Sequence, residues 1–286
     1  FVYYVRDSIA RRLLGEQIDD FIIDEDEFGN PLEPPILNWD VPIDMRDEEQ
    51  YEILRVMYYS DDETFHHRRE IDTRKLTYEF WWIDYVQAAQ KKNRFNPETG
   101  QYEEDAQVIN NLGVPVRVTD RSAFIIRDRV NVYPDTLSWI SDFSYSFNEP
   151  YATHYFWHPS FDNYPVVGVT WRQAFAFSIW RTQYHNKFLA QRGHPGVADY
   201  RLPNEAEWEY AARGGLRHGM YPWGGPYTRN SEGCFLANFK PMRGNVVDDG
   251  GFITLPVDSY EPNDYGLYNM ACLLYTSDAA DEEDSV

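Results

Sequence analysis

Three features of this chain point to an α+β fold, loop-rich, with several helices and few short strands. Helical periodicity stands at the start, between Tyr78 and Arg94, and twice between Thr170 and Gly215. After Gly215 it is lost, and Gly, Pro, Asn and aromatic residues prevail up to Ala271, the composition of loops and short strands. Aromatics make up 17% of the 286 residues, with Trp 9, Tyr 22 and Phe 17, enough to fill a core without cross-links.

In Phe1–Leu14, Val2, Val5, Ile9 and Leu13 recur at spacings of three and four while Arg6, Arg11 and Arg12 fall elsewhere, the pattern of an amphipathic helix. From Glu16 to Glu63 carboxylates dominate and prolines and a glycine break the periodicity, which reads as a solvated insertion. YEFWWIDYVQAAQKKNR, Tyr78 to Arg94, has Glu79 and Asp84 early and Lys91, Lys92 and Arg94 late, the order a helix dipole favours, and is expected to be helical. Asn96–Gly100 signals a turn, and Ala123–Tyr155, broken by Pro134 and Pro150, suggests extended connections. Thr170 can cap a helix from Trp171 towards Ala190 whose apolar face holds Ala174, Phe177, Ile179, Trp180 and Phe188, with Gly193 and Pro195 as its stop. In LPNEAEWEYAARGG, Asn204 and Glu207 form a capping-box variant, Glu209 can pair with Arg213, and Gly214 and Gly215 end the helix. No internal repeat is visible.

Lys+Arg 26 against Asp+Glu 47 gives a net charge of −21, a surface that repels phosphate backbones and anionic head groups and argues against nucleic acid as a partner. No apolar run reaches the roughly 20 residues of a membrane-spanning helix. The first ten residues lack both an initiator Met and the layout of a signal peptide, so the expectation is a mature fragment or missing upstream sequence. CLLYTSDAADE, Cys272 to Glu282, reads like the translated adapter of a sequencing library, and 272–286 is set aside as not native. Without Asp278, Asp281, Glu282, Glu283 and Asp284 the chain is still strongly acidic. Cys234 is then the one genuine thiol, too few for an internal disulfide or a cysteine pair on a metal.

Glu205 and Glu209 share a helix face and could form an acid/base pair, but first-turn glutamates ordinarily serve the dipole and the cap. His154 and His158 stand four apart, a zinc-chelating separation on a helix, with no intervening Glu and no evident third ligand. His66 and His67 lie beside Arg68 and Arg69 in a charged run that reads as solvated surface. Gly224 and Gly225, like Gly250 and Gly251, precede no helix and no Lys, so they read as turn glycines and not as a phosphate cradle. Cys234 has no identifiable His/Asp pair, and a small buried hydrophobe is the ordinary role of such a residue. The oxygen donors Asn238, Asp249 and Asn269 sit in loop-dense sequence suited to calcium, although such residues usually satisfy their own turns.

YPVVGVTW (Tyr164–Trp171), RLPNEAEWEYAARGG (Arg201–Gly215), YPWGG (Tyr221–Gly225), ANF (Ala237–Phe239) and PNDYGLYNMA (Pro262–Ala271) resemble, in order, the second half of the formylglycine-generating-enzyme or sulfatase-modifying-factor domain. The resemblance implies a fold related to C-type-lectin-like folds, with little regular secondary structure and structural calcium. It implies one calcium site on the side chains of Asn238 and Asp249 and the carbonyls of Phe239 and Gly251, and a second beginning at Asn269.

FVYYVRDSIARRLL, the acidic segment, VYPDTLSWISDFSYSFNEP and YFWHPSFDNYPVVGVTW are similar, more narrowly, to the gliding-motility lipoproteins of the GldK (PorK) family. That resemblance divides the chain into 1–15, part of the sulfatase-modifying-factor-like core; 16–157, an acidic and aromatic insertion; 158–271, the second half of the core; and the tail 272–286. It implies a noncatalytic part of a type IX secretion machinery, lipid-anchored at the periplasmic face of the outer membrane, that self-associates in a ring with a GldN/PorN-like partner. Trp81, Trp82, Tyr145, Phe156 and Trp157 then become candidate contacts, although such aromatics are more often core. Two alternatives stay open. One is an oxidase that converts a sulfatase cysteine into formylglycine, whose paired copper-binding cysteines belong downstream of Ala271. The other is a sugar-binding module, which has fold analogy alone behind it.

Overall fold

Short elements alternate with long connections throughout the computed structural model, which describes residues 1–26, 28–64, 69–110, 112–140, 149–239, 245 and 247–272. In chain order they are α1 (Val2–Gly15), β1 (Ile22–Glu25), β2 (Pro31–Leu37), α2 (Glu48–Leu54), β3 (Thr77–Ile83), α3 (Tyr85–Ala88), β4 (Phe95–Asn96), β5 (Gln101–Tyr102), β6 (Gln107–Ile109), β7 (Pro115–Arg117), β8 (Ile125–Asn131), α4 (Glu149–His154), α5 (Trp171–Gln191) and α6 (Glu205–Arg213). Among the described residues four two-stranded antiparallel sheets form, β1 with β2, β3 with β8, β4 with β5 and β6 with β7. This is a mixed fold of helices and small sheets. Two units result, Phe1–Tyr133 with Thr170–Arg201, and Pro134–Val169 with the chain from Leu202 on.

In the first unit the acid-rich segment after α1 is not merely solvated. Phe21, Leu54 and Met57 are buried against Ala10 and Leu14 of α1, because this segment, for all its carboxylates, supplies apolar residues wherever it meets the helix. The buried face of α1 accordingly runs through Val5, Ala10 and Leu14, with Val5 packed on Leu76 and Val132. Arg11, on the polar face by sequence, is 7% exposed. Its guanidinium donates to the carbonyl oxygens of Asn38 and Val41, each at 2.7 Å, and lies over the Trp39 ring. The charge is thus solvated by the backbone of the same acidic segment.

The helix expected over Tyr78–Arg94 is a strand in its first third. Tyr78, Phe80 and Trp82 alternate with Glu79, Trp81 and Ile83, a period of two, and aromatic residues favour the pleated conformation. β3 pairs with β8 from Thr77↔Asn131 to Ile83↔Ile125. Phe80 and Trp82 present edges to Phe175 of α5 at 6.2 and 5.3 Å. Helix appears only after Asp84, whose carboxylate accepts from the Gln87 amide at 2.9 Å, and α3 is a single turn. The acidic-to-basic order along 79–94 therefore spans a strand, a turn and a 3₁₀ segment, none of which it stabilises as a helix dipole. A separate core of Ala106, Val108, Val118 and Phe124 sits beneath the β6/β7 hairpin.

α5 carries the expected start: Gln173 N–H donates to Thr170 Oγ1 and Thr170 N–H to Gln173 Oε1, and Gly193 follows its end at φ 69°. Its buried face is turned relative to the sequence reading. Ala176, Ser178 and Trp180 are buried, whereas Phe177 and Phe188 are exposed. Trp180 packs on Phe1, the N-cap of α1, and on Tyr4 at 5.1 and 5.5 Å.

Asp72 is 2% exposed and receives Arg74 Nε and Nη2 at 2.7 and 2.9 Å, with Lys75 Nζ at 3.3 Å. The Arg74 hydrogen bonds hold its carboxyl at about 2, against an ordinary 3.8. A depressed folded-state value means the stabilisation is complete above about pH 4 and is lost as pH falls through 2. Asp72→Asn is expected to flatten that acid limb in urea titrations between pH 4 and pH 2; an unchanged limb would remove Asp72 as its cause.

In the second unit the ring of Tyr155 centres an aromatic cluster with Trp139 at 5.0 Å and Phe161 at 4.9 Å, and its hydroxyl donates to the Pro165 carbonyl at 2.6 Å. α6 has the capping box read from sequence, Asn204 Oδ1 accepting from Glu207 N–H at 2.9 Å, and ends on Gly214 at φ 56°. Beyond Gly215 the described residues hold no helix or strand, only an isolated bridge between Arg229 and Phe235, as the loss of periodicity suggested. The extended connection expected over Ala123–Tyr155 is met by β8 and interrupted by the short α4; its residues 141–148 lie outside those described. Among the described residues no helix is long and apolar enough to cross a membrane.

Candidate metal centre

Asp249 is 6% exposed in a loop of the second unit, and such a carboxylate needs partners. The backbone N–H of Phe239 donates to its Oδ2 at 2.8 Å, and that of Gly251 to its Oδ1 at 3.2 Å. Asn238, 9% exposed, donates through Nδ2 to the Ile253 carbonyl at 2.7 Å, which leaves Oδ1 as its oxygen donor. Of the residues singled out by sequence, Phe239 and Gly251 therefore touch the Asp249 carboxylate, and Asn238 stands beside Gly251. Gly251 is held to its size: a Cβ there would lie 2.9 Å from Asn238 Nδ2 and 2.9 Å from Leu255 Cγ. The Tyr260 hydroxyl donates to the Asp249 carbonyl at 2.7 Å, and burial, followed by the charge of Asp249, pushes that phenol up to about 12.

Tyr260, Ile253 and Leu255 were not legible as members of this centre, since nothing in SYEPND or GFITLP separates them from ordinary loop residues. Nor was the role of the Phe239 and Gly251 amides as donors, which orient Asp249 whether or not a cation is bound. Asn269 is not joined to the centre by any hydrogen bond among the described residues. It adopts φ 59°, donates to the Val257 carbonyl at 2.6 Å, and keeps a buried Oδ1 without a hydrogen-bond partner. The donor types expected here from sequence, a carboxylate, an amide oxygen and two carbonyls, are all oxygen and would suit a hard ion such as calcium, whereas the contacts seen on the Asp249 carboxylate are the N–H groups of Phe239 and Gly251.

The other sequence candidates stay apart. The rings of His154 and His158 are 6.3 Å between centroids; His158 Nδ1 accepts from Ser160 N–H at 3.2 Å and His154 Nδ1 lies 2.8 Å from Thr153 Oγ1. No group of three His, Cys, Asp or Glu is clustered for a metal among the described residues, and His66 and His67 lie outside them. Glu207 is spent on its cap and Glu209 on Arg213 at 2.6 Å. Cys234 is exposed and not a buried hydrophobe. The Cys272 thiol accepts from the Asn238 amide at 3.5 Å and is pushed up by burial.

The mixed helices and small sheets described above are consistent with the fold of the domain family that the sequence matches. The model of the sulfatase-modifying factor enzyme 1-like domain family matches residues 98–275, and the chain belongs to that family. Similar proteins include the formylglycine-generating enzyme of Thermomonospora curvata, 40% identical over 110 residues, or 38% of this chain and 31% of that protein. The formylglycine-generating enzyme of Mus musculus is 39% identical over 111 residues, 38% of this chain and 25% of that one. The inactive C-alpha-formylglycine-generating enzyme 2 of Bos taurus is 37% identical over 108 residues, 37% of this chain and 30% of that protein. The chain thus spans about a third or less of the length of the curated relatives it matches. Proteins named as enzymes and proteins named as inactive both belong to this group, so membership alone does not decide catalysis. No solved structure matches the chain.

Proposed function

We propose that the chain is a noncatalytic structural component of a type IX secretion and gliding-motility machinery of the GldK (PorK) kind, in which a lectin-like sulfatase-modifying-factor fold serves for rigidity. In this reading the protein sits at the periplasmic face of the outer membrane through a lipid anchor and forms a ring with itself and a GldN/PorN-like partner. One observation carries it: among residues 1–97, which the family match at 98–275 leaves out, Ala10, Leu14, Phe21, Leu54 and Met57 form an apolar core. Such packing outside the matched domain, in an acidic and aromatic segment, is a feature that supports an assembly subunit more than an enzyme core. The centre at Asp249 is proposed to hold structural calcium on Asn238, Phe239, Asp249 and Gly251, with Asn269 as the start of a second site. A bound divalent ion there would tie together loops that have no sheet or helix to fix them.

Of the candidate contact aromatics, Trp81 is 53% and Trp157 63% exposed, whereas Trp82 is packed on Phe175 and Phe156 on Tyr155; Tyr145 lies outside the described residues. Trp81→Ala is expected to weaken co-purification with a GldN-like protein by about tenfold or more, the size of an aromatic hot spot, with thermal stability unchanged. Undiminished co-purification would remove β3 from the contact.

The names of the relatives favour a second reading, a formylglycine-generating oxidase acting on a sulfatase cysteine. Mass spectrometry of a cysteine peptide of sulfatase type, incubated with copper, oxygen and the chain continued through its native sequence beyond Ala271, separates the two. The structural reading expects the cysteine unchanged, and its conversion to formylglycine would establish the oxidase.

A further inference from the structure

The two longest motifs of the second unit, RLPNEAEWEYAARGG and PNDYGLYNMA, contribute little to the Asp249 centre, yet they meet elsewhere. Asn263 Nδ2 donates to the carbonyls of Ala211 and Ala212 at 2.7 and 3.2 Å, closing the C-terminal end of α6. Its Oδ1 accepts from Tyr265 and Leu267 N–H, each at 3.0 Å, so one side chain fixes both the helix end and the loop after it. Tyr265 then donates its hydroxyl proton to Tyr210 Oη at 2.9 Å. Gly214 and Gly215, at φ 56° and 86°, turn the chain beneath this pair, and a Cβ on Gly215 would lie 3.3 Å from Tyr265 Oη.

The result is a cavity of about 560 Å³ lined by Tyr210, Arg213, Gly215, Arg217, His218 and Tyr265. Arg213 is engaged, by Glu209 and by the Gly219 carbonyl at 3.1 Å. Arg217 and His218 are exposed and have no hydrogen bond or ion pair among the described residues, and His218 is held at φ 62°, a conformation residues other than Gly rarely adopt. Because Tyr265 gives its proton to Tyr210, the Tyr210 proton is left to donate into the cavity. A guanidinium, an imidazole and a phenol thus face one space in a chain whose net charge is −21.

We propose that this cavity binds a carboxylate of an acidic peptide, with Arg217 as the principal anchor and His218 and Tyr210 as further donors. A guanidinium fork matches a carboxylate in bidentate fashion. The chain's own negative field selects among anions, because its repulsion scales with ligand charge and weighs on a phosphate dianion about twice as heavily as on a carboxylate. The inference does not depend on the structural or the catalytic reading of the chain.

The test titrates the full chain with acetyl-Gly-Glu-Gly-Gly-amide, with its Gln counterpart and with inorganic phosphate, following the His218 ring resonances and the heat of binding. The glutamate peptide is expected to shift His218 and to bind about tenfold or more tightly than the glutamine peptide. Arg217→Ser should weaken it by about tenfold, Tyr210→Phe by severalfold, and Arg121→Ser, on the other unit, not at all. Since Arg217 is exposed, its variant should melt with the wild type. Equal binding of the two peptides, or wild-type binding by Arg217→Ser, would overturn the site, and tighter binding of phosphate than of the glutamate peptide would overturn its assignment to carboxylates.

Discussion

Phe21→Ala is expected to lower the unfolding free energy by about 3–5 kcal/mol, the range for an aromatic side chain removed from a filled core. Phe21 is 1% exposed, packed with Leu14, Leu54 and Met57 and 5.9 Å from the Arg11 guanidinium, so no solvent replaces the lost ring. Phe28, in the same acid-rich segment, is 87% exposed, and Phe28→Ala should stay within about 0.5 kcal/mol of wild type. Urea denaturation of the two variants distinguishes a segment that closes a core from one that merely hangs on it. Equal, small effects would return residues 16–63 to the status of a solvated insertion.

Asp249→Ala is the second large effect. It leaves the Phe239 and Gly251 amides without their charged acceptor, and hydrogen bonds to charged groups contribute about 1.5–3 kcal/mol each. A loss of about 3–6 kcal/mol is expected even without metal. If calcium occupies the centre, a concentration a hundredfold above its dissociation constant adds about 2.7 kcal/mol to the wild type and nothing to the variant. Thermal melts with calcium and with chelator should therefore differ for wild type and coincide for Asp249→Ala. A chelator response shared by both proteins would reject calcium at Asp249.

The helices whose ends carry side-chain chemistry were legible residue by residue. Thr170 as a cap, and Asn204 with Glu207 as a capping box, depend on a few residues of local sequence, so no tertiary information is needed to find them; that Gln173 completes a box with Thr170 came from the structure. The stretch from Tyr78 to Arg94 failed for the opposite reason. Whether its aromatics lie on a strand or a helix is settled by β8, some fifty residues away, and by Phe175, neither visible in a local window. Arg11 shows the same limit, since its burial depends on carbonyls at Asn38 and Val41 that only the folded chain brings to it. At the centre, the oxygen-bearing residues could be singled out because Asn and Asp announce themselves in loops. The backbone amides that orient Asp249, and the Tyr260 hydroxyl on its carbonyl, carry no sequence signal of their own.

The reading of the chain as an assembly subunit is tested most directly by mixing it with a purified GldN-like protein and measuring the mass of what elutes from a sizing column by light scattering. Co-elution in one assembly far heavier than either protein is the predicted result. Separate elution of the two at their individual masses, with the chain folded, would contradict it.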